Sequence, residues 1–189
     1  MKIILLGSKA SMLINKIKAT NDNFILIEEP LEDHMEILSD VDFLVSYGYR
    51  HVIRPKVLEL FPNRAINLHI ALLPWNKGAD PNLWSFLENT PKGVTIHYID
   101  EGLDTGYVIS QKEMSFELHE TLRTCYNKLS FEIEEMFGMV WAKIRSGEVH
   151  SYPQLAGGSY HRMIEKHKYE HLLTMGWDTP IIELIGKGL

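Results

Sequence analysis

The chain has 189 residues, a formal net charge of −6, 45% hydrophobic and 23% charged residues. Those are globular values, enough for a sizeable core in one domain or in one domain with a tail. The acidic balance argues against a nonspecific nucleic-acid surface, and no apolar run reaches membrane-spanning length. The single cysteine, Cys125, rules out an internal disulfide and fits a reducing cytoplasm. Met1-Lys2 leads straight into Ile3–Leu6, too short an apolar run for a signal peptide, so a cytoplasmic location is expected.

Lys2 to Leu6 reads as a buried strand ended by Gly7-Ser8, with a helix from about Lys9 to Ala19. Asn21-Asp22-Asn23 is a turn, Phe24 to Glu28 a second strand, and Leu31 to Leu38 carries a weak helical period. Phe43 to Ser46 is a third strand, and Pro55 suits the first position of a helix over Lys56–Leu60. This βαβαβ order predicts an α/β, Rossmann-like, mostly parallel twisted sheet flanked by helices. Gly7-Ser8-Lys9 has neither the G-x-G-x-x-G fingerprint nor a P-loop lysine, so NAD or ATP binding is unsupported.

The stretch Ile66–Gly106 is where the chemistry collects. An apolar strand ends in Asn67 and His69, a Pro/Gly loop and a short helix (Pro81–Glu88) follow, and a strand Val94–Ile99 runs into an acidic glycine loop ending at Asp104. Asn67 and His69 are two apart, so a strand puts them on one face, an unfavourable way to fill a core unless both are hydrogen-bonded or wet. If the two strands are neighbours, the loop can bring Asp104 beside His69. A carboxylate then orients the imidazole, and an Asn amide can donate to a developing oxyanion, a set suited to acyl transfer. His97 alternates with apolar residues and reads as a structural histidine.

Tyr107 to Met114 reads as a strand, and Leu118 to about Arg145 as the longest helix, with an apolar stripe at Leu118, Leu122, Tyr126, Leu129, Ile133, Met136, Val140 and Ile144, ended by Gly147. His119 and Glu120 read as surface or capping residues. A short strand over Ser151–Leu155 and a turn at Gly157-Gly158 precede a polar helix pattern. His167 and His171 lie at i and i+4 there, but no third ligand accompanies them, so no metal is expected. The division expected is a domain over residues 1–150 and an extension over 151–189, packed on the domain or on the second subunit of a homodimer.

Asn67-Leu68-His69, Leu72-Leu73-Pro74, Lys77-Gly78, Gly93-Val94-Thr95 and Asp100-Glu101-Gly102-Leu103-Asp104-Thr105-Gly106, at this order and spacing, resemble the signature of the folate-dependent formyltransferases. That family includes methionyl-tRNA formyltransferase, glycinamide ribonucleotide transformylase and the sugar N-formyltransferases, and the Leu-Pro-Trp-Asn-Lys-Gly variant is most like the last. The resemblance implies the formyltransferase fold with a truncated N-terminal half and a short C-terminal tail. It implies a catalytic trio of Asn67, His69 and Asp104. It implies N10-formyltetrahydrofolate as co-substrate with no metal, bound by Tyr47, Gly48, Tyr49, Val52 and Ile53 and by the facing loop Asp100, Glu101, Gly102 and Leu103. The plainer reading of Val52 and Ile53 is the core.

Trp75, Asn76, Lys77 and Asp80 are expected to face the second substrate, a nucleotide-linked amino sugar for a surface glycan. Neither nucleic acid nor membrane insertion is expected, and the lack of a tRNA-type C-terminal barrel supports the sugar. Glycinamide ribonucleotide formylation, formyltetrahydrofolate hydrolysis and a non-catalytic folate-binding module remain the alternatives.

Overall fold

The computed structural model describes residues 1–188, arranged in two compact units that each draw on three stretches of chain. The first unit holds Met1–His69, Ile96–Ser110 and Glu134–Pro153; the second holds Ile70–Thr95, Gln111–Ile133 and the residues from Gln154 onward.

In chain order the strands are β1 (Lys2–Leu6), β2 (Asn23–Ile27), β3 (Phe43–Ser46), β4 (Ala65–His69), β5 (Lys77–Gly78), β6 (Gly93–Tyr98), β7 (Val108–Glu113) and β8 (Tyr160–His161). The α-helices are α1 (Ile14–Lys18), α2 (Pro55–Leu58), α3 (Pro81–Leu87) and α4 (Leu122–Ser146). Six strands form one sheet in the order β2-β1-β3-β4-β6-β7. β1 pairs in parallel with β2 and β3, and β3 with β4, placing Ser46 beside Asn67. β2 therefore lies on one side of β1 and β3 on the other, the reversal that opens a crevice beyond the strands' carboxyl ends.

The exceptions to parallel pairing decide the site. Ile99, one residue past β6, donates its N–H to the carbonyl of Ala65 at the start of β4 (2.9 Å). β6 thus runs opposite to β4, and residue 97 falls across from residue 67. Tyr98 N–H donates to the Tyr107 carbonyl at 2.9 Å, so β6 and β7 form a hairpin whose connection is the Asp104 loop. The sheet is mostly parallel, as expected, with this antiparallel edge.

The first unit packs Ile4, Leu6, Leu44, Val57, Phe61 and Ala65 against Leu31 and Leu38. Leu31–Asp40 is a 3-10 segment broken at His34 (φ −127°, ψ 26°), which is why its helical period in the sequence is weak. Beneath the sheet Trp141 meets Phe43 edge-on at 5.3 Å and stacks on Phe137 at 5.2 Å. Each such buried large side chain contributes roughly 1.5–3 kcal/mol.

The second unit buries Leu83, Trp84, Phe86 and Leu87 of α3 with Leu122, Cys125, Ile181 and Leu184. The chain's last part is integral to this unit, because β8 pairs in parallel with β5 and Leu184 is fully buried. Two expectations are corrected. The long helix begins at Leu122, not Leu118, which is exposed. Glu120 is buried instead, accepting from Glu117 N–H and pairing with Lys128 at 2.6 Å, so the chain turns before the helix starts. Ser151–Leu155 is not a strand. Tyr152 makes one isolated antiparallel bridge to Val108, and Leu155 lies exposed beyond it. Among the described residues no helix is long and apolar enough to cross a membrane.

Candidate active site

β4 alternates its side chains, so Asn67 and His69 share a face, and β6 sets His97 on that face opposite Asn67. The hairpin connection then folds back. Asp100 Oδ1 accepts from Gly102 N–H (3.1 Å) and Thr105 Oγ1–H (2.6 Å), closing the turn. Gly106 lies so close to Tyr98 that a Cβ there would sit 1.8 Å from the Tyr98 carbonyl oxygen. Asp104 adopts φ +53°, a left-handed conformation that Asp tolerates, and its side chain turns inward to 10% exposure.

The result is a compact polar cluster. Asn67 Nδ2–H donates to Asp104 Oδ1 at 3.1 Å and lies 3.3 Å from His97 Nε2. His69 Nε2 stands 3.7 Å from Asp104 Oδ2, and the two imidazole rings are 6.4 Å apart at 87°. The trio read from the sequence is therefore brought together, the Asp104 carboxylate accepting from Asn67 and standing 3.7 Å from the His69 ring. His97, read as structural, joins it. The signal for it was topological: an antiparallel β4–β6 register places position 97 beside Asn67, whereas an all-parallel sheet does not.

Two details refine the expected chemistry. Asn67 Nδ2 donates to Asp104 and lies within hydrogen-bond distance of His97 Nε2, so with His97 as acceptor its amide donates to an oxyanion only by releasing one of the two. His69 is 7% exposed, so a proton gained on its ring in the reaction acts through a lower dielectric here than at a surface.

The residues expected against the folate fall at the strand ends. Gly48 lines a cavity of about 240 Å³ with Gly7, Ser8, Glu28, Arg50 and His51, beyond β1, β2 and β3. Tyr47 is buried, its hydroxyl donating to Glu134 Oε1 at 3.2 Å. Burial pushes the Glu134 carboxyl up, against the hydrogen bond from Tyr47. Tyr49 takes the Leu31 N–H on its hydroxyl (2.8 Å) and donates to the Glu29 carbonyl (2.9 Å), leaving ring surface rather than a phenol for any ligand. Burial raises the Tyr49 phenol as well. Val52 and Ile53 divide between the two readings: Val52 is 67% exposed, while Ile53 is buried in the core. Asp100, Glu101, Gly102 and Leu103 lie exposed on the hairpin loop.

Of the residues expected to meet the second substrate, Trp75, Lys77 and Asp80 keep partial exposure. Lys77 is in β5, and Asp80 pairs with Lys166 at 3.3 Å. Asn76 corrects its expectation. It has no exposed surface, its Nδ2–H donates to Thr90 Oγ1 at 2.8 Å, and its own N–H donates to Ser159 Oγ at 3.0 Å. A side chain so enclosed holds the loop rather than lining its surface. His161 is stacked on Trp84 at 3.9 Å and bonded to Glu88 at 3.2 Å, a buried pairing that local patterning does not signal.

Residues 6–140 match the formyl transferase family, a stretch that contains Asn67, His69, His97 and Asp104. The chain belongs to the formyl transferase family. Among curated relatives it is 32% identical over 150 residues to methionyl-tRNA formyltransferase of Thermodesulfovibrio yellowstonii, covering 79% of this chain and 46% of that protein. It is 34% identical over 93 residues to phosphoribosylglycinamide formyltransferase of Bacillus subtilis, covering 49% and 48%. The chain thus spans about half the length of the curated relatives it matches. Among solved structures it is 52% identical to the formyltransferase PseJ of Anoxybacillus kamchatkensis, over 100% of both chains, with a TM-score of 0.96. That crystal structure holds UDP-4,6-dideoxy-4-formamido-L-AltNAc and tetrahydrofolate. The family match therefore bears out the resemblance read from Asn67 to Gly106.

Proposed function

We propose that the protein transfers the formyl group of N10-formyltetrahydrofolate to the amine of a nucleotide-linked amino sugar, and that the acceptor is a UDP-linked 4-amino-4,6-dideoxy sugar. The full-length 52% identity to PseJ carries this reading, since a formamido sugar and tetrahydrofolate are the product pair of such a transfer. A cytoplasmic setting, with no resident metal, belongs to the same proposal.

The chemistry asked of the chain is modest. A neutral amine adds to the formyl carbon, and the carbonyl electron pair moves onto oxygen. Protonated His69 donates to that oxygen, and Asn67 joins it when the amide releases one of its two resting acceptors. Asp104, beside both, orients the imidazole and takes the proton lost by the amine. The electron pair returns, the carbon–N10 bond breaks, and N10 leaves with the proton that Asp104 took from the amine. Holding the two substrates against each other supplies much of the acceleration.

The test is a panel of UDP- and dTDP-linked 4-amino and 3-amino sugars, glycinamide ribonucleotide and water alone, each with N10-formyltetrahydrofolate and read by product mass. A formyl increment on a UDP-linked 4-amino sugar is expected. Formylation of glycinamide ribonucleotide in preference, or formate release without an amine, overturns the reading.

A further inference from the structure

We propose that His97 is a positioning residue: through an Nδ1-protonated, neutral imidazole it fixes the rotation of the Asn67 amide, and so the placement of Asp104 against His69. The inference rests on the formyl-transfer reading for its kinetic consequence, but its structural content is independent of any substrate.

The protons along this chain of contacts can be assigned one by one. His97 Nδ1 lies 2.8 Å from the carbonyl oxygen of Tyr98. A carbonyl only accepts, so Nδ1 carries the hydrogen. Asp104 Oδ1, 3.1 Å from Asn67 Nδ2, also needs a donor. An amide turned the other way would set its oxygen against the carboxylate, two acceptors in contact. The nitrogen of Asn67 therefore faces both Asp104 and His97, and its second hydrogen points at His97 Nε2, 3.3 Å away. A hydrogen on Nε2 would meet that N–H head-on. Nε2 is accordingly bare and accepts. Nε2 also stands 3.5 Å from Asp104 Oδ1, farther than from Asn67 Nδ2, and a bare Nε2 has no hydrogen to give that oxygen.

His97 does this without touching a substrate, for it is 1% exposed. Its ring is fixed by its own strand neighbour, and its acceptor lies across the β4–β6 pair from the residue it orients. Remove the acceptor, and one Asn67 N–H is orphaned in a buried site, so the amide gains by rotating away from Asp104. Asp104 Oδ2 then loses its registration on His69.

Three replacements separate this role from packing. His97→Phe keeps a ring of similar size without an acceptor, His97→Gln carries a carbonyl oxygen near the Nε2 position, and His97→Met fills the space without a strong acceptor if Phe fails to fold. For Phe, kcat is expected to fall about 10- to 100-fold, with KM for both substrates changing less than about threefold. Gln is expected to recover most of that loss. Equal activity for Phe and Gln, or Phe the better, overturns the proposal, because a residue that only fills space favours the apolar ring. The second arm needs no turnover. Imidazole nitrogen shifts in 15N-histidine-labelled protein should show His97 protonated at Nδ1 and bare at Nε2. Protonation at Nε2 overturns the proposal even if the protein formylates some other amine, and the expected tautomer supports it even if the sugar acceptor is wrong.

Discussion

Asn67 and His97 face each other across the β4–β6 pair, 3.3 Å between Nδ2 and Nε2. The same Nδ2 is 3.1 Å from Asp104 Oδ1. An amide nitrogen shared by an imidazole and a carboxylate has one favoured rotation, and the site inherits its geometry from that.

The first prediction follows from the carboxylate's neighbour. Asn67→Asp keeps size and shape but sets two carboxylates about as close as the amide and Asp104 are now, where like charges cannot both ionise comfortably. Turnover should fall about 10³-fold or more, against about 10²-fold for Asn67→Ala, which removes a donor without adding a charge. Both proteins should keep their far-ultraviolet circular dichroism. The steady-state rate of formyl transfer decides, and an Asn67→Asp variant within tenfold of wild type would show that Asp104 is not held as described.

The hairpin glycine gives a second. A Cβ at Gly106 would come within 1.8 Å of the Tyr98 oxygen, the same oxygen that holds His97 Nδ1. That contact is backbone and cannot swing aside. Gly106→Ala should therefore lower kcat by about 10-fold or more through displacement of the loop, while Gly147→Ala, with nothing within 4 Å of its added Cβ, should leave kcat near wild type. Equal rates for the two would mean that the close approach does not set Asp104.

How much of this was legible from residues alone depended on whether the deciding contact was local. β3 was readable to the residue, because Phe43–Ser46 is a short apolar run between turns and every residue in it is buried. The Asn67, His69 and Asp104 set was readable because polar residues at strand ends conflict with a core unless they work together. His97 was not. Its environment comes from the direction of a neighbouring strand, which one sequence does not state. Asn76 misled for the converse reason: a polar residue in a Pro/Gly loop looks solvated, yet distant Ser159 and Thr90 bury it. The start of α4 shifted because the buried Glu120 carboxylate ties down the turn before it.

Thr95 anchors residues 71–73 within the second unit. Its buried hydroxyl donates to the Ala71 carbonyl (2.7 Å) and accepts from Leu73 N–H (3.1 Å) and Gln111 Nε2–H (2.9 Å). Thr95→Val keeps the shape and strands these partners. A loss of about 2–3 kcal/mol in unfolding free energy is expected from urea titration. Thr95→Ser, which keeps the hydroxyl, should lose about 1 kcal/mol or less. Equal losses would assign the effect to the methyl group.

Cys125 is fully buried, and burial, followed by the nearby Glu120 charge, pushes its thiol up to about 12. The thiolate is the reactive form, so almost none is present at neutral pH in the folded protein. Cys125 should stay unmodified by a thiol reagent at pH 8 until denaturant is added, then react fully. Rapid labelling of the native protein, with activity retained, would contradict its burial.

The last prediction concerns acid. The Asp22 side chain is fully enclosed, which by itself would raise its carboxyl. Donors outweigh that burial: Thr20 Oγ1–H at 2.6 Å, Trp141 Nε1–H at 3.2 Å, and Arg145 and the Met1 nitrogen at 2.7 Å each. They hold Asp22 below the ordinary carboxylate value. A group lowered on folding stabilises the native state above its unfolded value, about 3.9, and loses that contribution as pH falls through its folded value. Asp22→Asn keeps the shape without the charge, so at pH 7 its melting temperature should lie several degrees below wild type. The gap should narrow once the pH drops below about 4, because wild type then loses the same charge. Taking the difference between the two proteins cancels every other carboxylate. A gap that stays constant from pH 7 to about pH 2 would mean that the Asp22 charge does not hold the end of α4 to the turn after α1.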